Sequence, residues 1–397
     1  MTDLVRLFQS TDAGAPSMTY AAGQLLGVLS ACLVTGYGSV TLDSLVVSNG
    51  VATGTKSGGH GFSAFGNTDK VYPVLRVSGV TDKTDLNADW RLASIPNGTT
   101  FTFACPGVSD GTASGTISAK RAPAGWTEAF TGTNKKAYRN NTPTGSGSYF
   151  RFDDSANYEA RLRGYVAMSD IDTGTDPFPA DSQVSGGAYW AKAVNGQTSA
   201  RAWFVVADDR HCYVGIAIHT TYPSFQVLDF GDEIPLKSGD AYRAMVGGAP
   251  ASYYASFGGA ATHNPTFLST SDVWMPRGYL GTGLAIVAKR QVYSASAALS
   301  GAMGWTYPNG PNNGLMIEGP ILFNESAITG HIRGYAPGAL FSRQSLVGTG
   351  NFIQAGQLFE VANVPLLPGQ ILMAVSLYNF NSSVGCGFLQ LTGDWWA

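Results

Sequence analysis

Only one stretch of this 397-residue chain carries a helical period. Between Pro16 and Gly36, the residues Ala22, Leu25, Leu26, Leu29, Cys32 and Leu33 recur at intervals of three and four, which lines one face of a helix. The pattern predicts an amphipathic helix starting near Ser17 or Thr19, its apolar stripe covering an open edge of its own domain. Gly36 stands where a left-handed C-terminal cap would fall. From Val40 onward the texture is short runs of Val, Ile, Thr, Phe and Tyr cut by Gly, Asn, Asp and Pro, the pattern of strands and turns. The expected fold is mainly β: an N-terminal helix, a small β-barrel module, then β-sandwich-like bodies.

Four segments follow from where the texture changes: 1–38 with the helix, 39–122 as the small barrel, 123–250 as a sandwich-like domain and 251–397 as a C-terminal β-rich domain. Within 39–122 the strands expected are Val40 to Val47, Val51 to Thr55, Val74 to Val77, Trp90 to Ile95, Thr100 to Ala104 and Gly115 to Lys120. Six short strands in about 80 residues suit a small barrel or sandwich, and Asn49-Gly50 between two of them is a strong hairpin signal. In 123–250, Ala202-Trp-Phe-Val-Val-Ala and Cys212-Tyr-Val-Gly-Ile-Ala-Ile flank Asp208-Asp209-Arg210 and read as a central hairpin. The segment Gly247 to Ala261 reads as a boundary or a long surface loop. The chain ends in Asp394-Trp395-Trp396, and a terminal Trp pair is expected to pack on a neighbouring domain or subunit. Arg-Gly-Tyr occurs at 163–165, 277–279 and 333–335, at intervals too unequal for a tandem repeat.

Charge narrows the function. Lys+Arg number 24 against 27 Asp+Glu, so charged residues make up 13%, about half the usual share, while hydrophobics hold at 44%. Disorder is thereby excluded as the general state, and a surface this poor in charge is expected to be uncharged and polar or covered by neighbours in an assembly. No basic cluster exceeds Lys120-Arg121 or Lys135-Lys136, which argues against nucleic acid as a partner. Cys32, Cys105, Cys212 and Cys386 lack any metal-ligand spacing. Leu25 to Val34 is too short and too broken to span a bilayer, and the first residues lack a leader pattern, so synthesis in a cytoplasm is expected.

The residues that carry chemistry are few. His60, His211, His219, His263 and His331 are scattered without a catalytic frame, and Gly58-Gly59-His60-Gly61 reads as a turn, not a phosphate cradle. Glu318 with Glu325, or Asp153 and Asp154 with Glu159, are carboxylate sets of the kind a glycosidase needs, without a spacing that singles them out. In Asp170-Ile-Asp172-Thr-Gly174-Thr-Asp176 the carboxylates alternate around a Gly as in calcium loops, without the closing Glu. Asp170, Asp172 and Asp176 are therefore read either as a calcium site or as a hydrogen-bonded turn; no other cofactor is expected. Aromatics at Trp126, Tyr189-Trp190, Tyr222, Tyr253-Tyr254, Trp274, Tyr279, Trp305 and Tyr307 suit contacts between subunits or stacking on sugars.

Four stretches resemble structural proteins of tailed bacteriophages: Val5-Arg-Leu-Phe-Gln-Ser-Thr-Asp-Ala-Gly-Ala-Pro16, Ala31-Cys-Leu-Val-Thr-Gly-Tyr-Gly38, Ala119-Lys-Arg-Ala-Pro-Ala-Gly-Trp126 with Phe130 to Arg139, and Gly164 to Gly174. The stretch from Gly59-His-Gly-Phe62 to Thr100-Phe-Thr-Phe103 is similar to small β-barrel modules of such proteins, with a longer middle around Asn67 to Asn87. The likeness covers about 250 residues and is weaker beyond. It implies a role in building the particle and nothing sharper; with the low charge, the leading expectation is a non-enzymatic virion component, made in the host cytoplasm, in the tail or tail tip, built into a symmetric oligomer with copies of itself and other virion proteins. A capsid decoration protein, a receptor-binding protein holding host surface glycan, and a depolymerase are the alternatives. It transfers no catalytic motif.

Overall fold

The computed structural model describes residues 5–66, 70–194, 196–218, 225–252, 272–291, 317, 319–325, 331–342, 358–361, 369–379 and 382–396. They are mainly β, in four antiparallel sheets.

The largest sheet runs Arg6–Gln9, Trp203–Ala207, His211–Ile216, Gln226–Asp232, Ala244–Gly247, Asp272–Met275, Ile286–Gln291, Leu322–Asn324, Ile332–Tyr335, Ile234–Pro235. Its fourth strand, Gln226–Asp232, and its tenth, Ile234–Pro235, are separated in the chain by Glu233 alone. In a flat sheet, six strand spacings would hold them roughly 29 Å apart, far beyond the reach of one residue. The sheet therefore rolls until its last strand returns to the end of its fourth.

The hairpin Trp203–Ala207 and His211–Ile216 is buried on both faces. Its side chains alternate between two cores. Trp203, Val205, Ala207, Cys212, Val214 and Ile216 face one, while Phe204, Val206 and Tyr213 face the other. That double burial is why the two runs are continuously apolar. The first core is closed by the helix Gln24–Ser30 and by a meander of Thr127–Gly132, Lys135–Arg139, Tyr149–Asp153, Glu159–Met168 and Gly174–Phe178, with Ala188–Ala191 paired to Glu159–Met168. The second is closed by the C-terminal sheet of Ala339–Ser342, Ser382–Gln390, Gln370–Asn379 and Leu358–Val361.

The remaining sheet runs Tyr37–Thr41, Ser118–Arg121, Val74–Ser78, Asp89–Asn97, Thr100–Ala104, Val51–Thr55, Ser44–Ser48, Gly111–Thr112. Its first and seventh strands are joined by Leu42-Asp43 alone, so it too curls, around a core of Leu45, Ala52, Leu75, Leu92, Phe101 and Phe103. At its hairpin Asn49 and Gly50 have φ of 51° and 73°, both positive as a two-residue type I′ turn requires, and Ser48 faces Val51.

Several expectations need correction. The helix starts at Gln24, not near Ser17, because Gly23 has φ 78° and cannot continue a right-handed helix backwards; its last turn, Ala31–Thr35, is widened to a π-helix. Gly36 has φ 71° but ψ 174°, an extended conformation with positive φ and not a left-handed cap, and a Cβ there would collide with the Arg121 carbonyl oxygen. The run Val40 to Val47 is two strands broken at Leu42-Asp43, and the strand expected from Gly115 begins at Ser118. Sheet membership also runs across the bounds read from texture. Arg6–Gln9 from segment 1–38 pairs with Trp203–Ala207, and Val246 pairs with Trp274 across residue 250. Of the segment Gly247 to Ala261, Gly247 ends a strand and 253–261 lie outside the described residues.

Candidate functional site

The sequence spends few charges, and the fold buries an unusual share of them. The densest group lies where the large sheet closes. Arg333, fully buried in Ile332–Tyr335, faces three carboxylates: Asp240 Oδ2 at 2.6 Å, Glu325 Oε1 at 3.3 Å and Glu233 Oε1 at 3.4 Å. One cation cannot balance three carboxylates. Burial pushes the Glu233 carboxyl up to about 8, against the pull of Arg333 and with repulsion from Asp240 and Asp232, and its Oε2 has no hydrogen-bond partner among the described residues.

Beside it, Asp229 accepts from Arg290 Nη1 at 3.0 Å and lies 3.5 Å from His211 Nε2. Burial alone would raise its carboxyl, but Arg290 and His211 hold it below the ordinary value. Asp232, raised by burial, takes the Ser146 N–H at 2.7 Å, the Ser146 hydroxyl at 2.6 Å and Arg243 Nε at 3.2 Å, tying the large sheet to the loop before Tyr149–Asp153. Two more pairs stitch the N-terminal segment in place. Asp12 joins Arg121 and accepts the Tyr37 hydroxyl at 2.7 Å. Asp154 joins Lys192 and accepts the Leu25 N–H at 2.9 Å, supplying from 129 residues away the acceptor that Gly23, at the helix start, cannot.

The C-terminal Trp pair lies on the same chain's sheet. Trp395 packs on Tyr213 with ring centroids 5.8 Å apart, and Trp396 donates its indole N–H to Asp208 beneath the Arg210 guanidinium, 3.9 Å from the ring. Asp208, in the turn of the central hairpin, is buried, and burial raises its carboxyl.

The residues singled out from sequence fare differently. Asp170 accepts the Asp172 N–H at 2.8 Å; Asp172 is held by Lys135 at 2.8 Å and Arg151 at 2.7 Å; Asp176 pairs with Arg277 at 2.6 Å. The three carboxylates are thus directed to separate partners, and among the described residues no group of three His, Cys, Asp or Glu is arranged to hold a metal ion. His60 is buried, accepting the Phe62 N–H at Nδ1, with Nε2 3.1 Å from the Asn97 carbonyl. His331 lies near Glu325; His219, His263 and Glu318 lie outside the described residues. Trp126, Trp190 and Trp274 are core residues, not loop platforms, the first two donating to the Asp208 and Gly247 carbonyls at 2.8 Å. Tyr189 lies under the Arg161 guanidinium, and Tyr222, Tyr253, Tyr254, Trp305 and Tyr307 are outside the described residues.

A cavity of about 210 Å³ opens between the edge strand Arg6–Gln9, Phe65, Phe225 and Met373 to Val375. Among the described residues that line it, the side-chain polar groups are those of Gln9, Ser10, Thr11 and the Trp203 indole, and none titrates. No protein-family model matches the chain, and no curated protein matches it.

Proposed function

We propose that this protein is a non-enzymatic structural component of a bacteriophage virion, in the tail or tail tip, assembling as a symmetric oligomer. The observation that carries the reading is where the charge goes. Asp12–Arg121, Asp154–Lys192, Asp229–Arg290 and Arg333 with Glu233 and Asp240 are buried and join parts of the chain 38 to 109 residues apart. Such pairs hold layers in register and leave an outer surface poor in charge, suited to contacts made by backbone, small residues and Tyr. The likeness of residues 5–16, 31–38, 119–139 and 164–174 to tailed-phage structural proteins supports the same reading. The Trp pair, being packed internally, does not.

The test is where the protein sits and how it sediments. Antibody labelling is expected to mark the tail, and purified protein at micromolar concentration is expected to sediment as a multimer with weak dependence on salt. A monomer absent from the particle would sink the proposal. Host surface polysaccharide incubated with the protein is expected to gain no reducing ends; cleavage lost on substituting a carboxylate pair would favour the depolymerase instead.

A further inference from the structure

Lys192 and Asp154 are both fully buried, and they meet at one end of the meander. Asp154 follows Tyr149–Asp153 and Lys192 follows Ala188–Ala191. Both strands pair with Glu159–Met168, where Asp153 faces Arg161 and Ala191 faces Glu159. Lys192 Nζ lies 2.9 Å from the carbonyl oxygens of Ala21 and Ala156 and against Asp154 Oδ1; Asp154 Oδ2 accepts the Leu25 N–H.

The hydrogen bonds are complete with both groups neutral. A neutral amine gives its two N–H groups to the two carbonyls, which leaves its lone pair facing the Asp154 carboxyl. A neutral carboxyl keeps Oδ2 on the Leu25 N–H and turns its Oδ1–H toward that lone pair. Burial favours both neutral forms, pushing the carboxyl up to about 6 and the lysine amine down. A nucleophile is thus held against an acid carbonyl whose oxygen is already polarised by a backbone N–H, in a site closed to water.

We propose that Lys192 and Asp154 condense into an intramolecular amide bond. The Nζ lone pair attacks Asp154 Cγ, and the carbonyl electron pair moves onto Oδ2, where the Leu25 N–H receives it. A proton passes from the nitrogen to Oδ1, the Cγ–Oδ1 bond breaks, water leaves, and the C=O reforms. No electrons are gained or lost, and no co-reactant is consumed. In the product the single N–H retains a carbonyl acceptor and the amide oxygen retains Leu25. The bond ties the ends of two strands across Glu159–Met168 and fixes the approach to the helix in the same step. It stands whether or not the protein belongs to a particle.

The experiment is the intact mass of the purified full chain under denaturing, reducing conditions. The expected result is a species one water lighter than the sequence, and a tryptic digest in which the peptide 152–161 is joined to 164–201, uncut at Lys192. Lys192→Arg, which keeps a cation but lacks the nucleophile, is expected to recover the full sequence mass. Full mass in the unsubstituted protein with a peptide ending at Lys192 would overturn the proposal. So would a loss of water with that peptide free, which would place the dehydration elsewhere.

Discussion

Arg333 shows what a single residue decides in this molecule. With Glu233, Asp240 and Glu325 all turned to it, its removal leaves three acids without a cation, and the cost of breaking a buried pair is about 3–5 kcal/mol. Arg333→Met is therefore expected to lower the denaturant midpoint sharply at neutral pH. Glu233→Gln is expected to change stability by less than about 1 kcal/mol there, because a carboxyl raised to about 8 already carries its proton and the amide keeps its shape. Equal losses in the two variants, measured by urea unfolding, would show that Glu233 is ionised. Part of this was legible in the sequence: Asp229 inside Val227-Leu-Asp-Phe230 and Arg333 inside Ile332-Arg-Gly-Tyr335 are charges within apolar runs, which in a chain this poor in charge marks a buried pair. The partners were not legible, because Asp229 meets Arg290 61 residues on and Arg333 meets Asp240 93 residues back, distances over which no local pattern carries information. For Asp170, Asp172 and Asp176 the spacing left a calcium site and a hydrogen-bonded turn both open, and it could not report that Lys135, Arg151 and Arg277 come from elsewhere in the chain to pair with two of the carboxylates.

Elements were more readable than their edges. The helix was found by its period, and Leu25, Leu26, Leu29 and Leu33 are all buried in the first core. Its start was missed because Gly23, at positive φ, and the distant Asp154 set it, neither of which the apolar stripe reports. Leu29→Asp places an unpaired carboxylate at a position with no exposure, at a cost of several kcal/mol. The expected result is loss of soluble, folded protein, read by yield and melting temperature. Wild-type behaviour would mean the stripe is exposed. The hairpins at Asn49-Gly50 and Asp208 to Arg210 were legible because their turns are local chemistry. The break at Leu42-Asp43 was not: Leu42 donates its N–H to Ile117 and Asp43 to Thr55, so the chain passes between opposite sides of the curled sheet without any change in composition.

At the scale of the whole molecule, one closure and one pH dependence are linked. Glu233 is the lone residue between the fourth and tenth strands of the large sheet, and its carboxyl is held well above the ordinary 4.5. For an acid raised in this way the folded chain keeps a proton that the unfolded chain has lost. Stability therefore falls by about 1.4 kcal/mol for each pH unit between the two values. Glu233 acts from about 4.5 to about 8; Asp154, where it has not condensed, acts from 3.8 to about 6; Asp208 and Asp232 have the same sign. Asp89, Glu128 and Asp229 are lowered, so their contribution is complete above the ordinary carboxylate range and is lost only as acid protonates them. The two sets leave a maximum near the ordinary carboxylate range, at about pH 4. Denaturant midpoints are expected to fall from pH 5 to pH 8, and amide exchange in Ile332–Tyr335 to quicken over the same range as the closing strand loosens. A midpoint that is flat or rising across that interval would mean that Arg333 keeps Glu233 ionised, and that the sheet closes on a charged pair instead of a protonated acid.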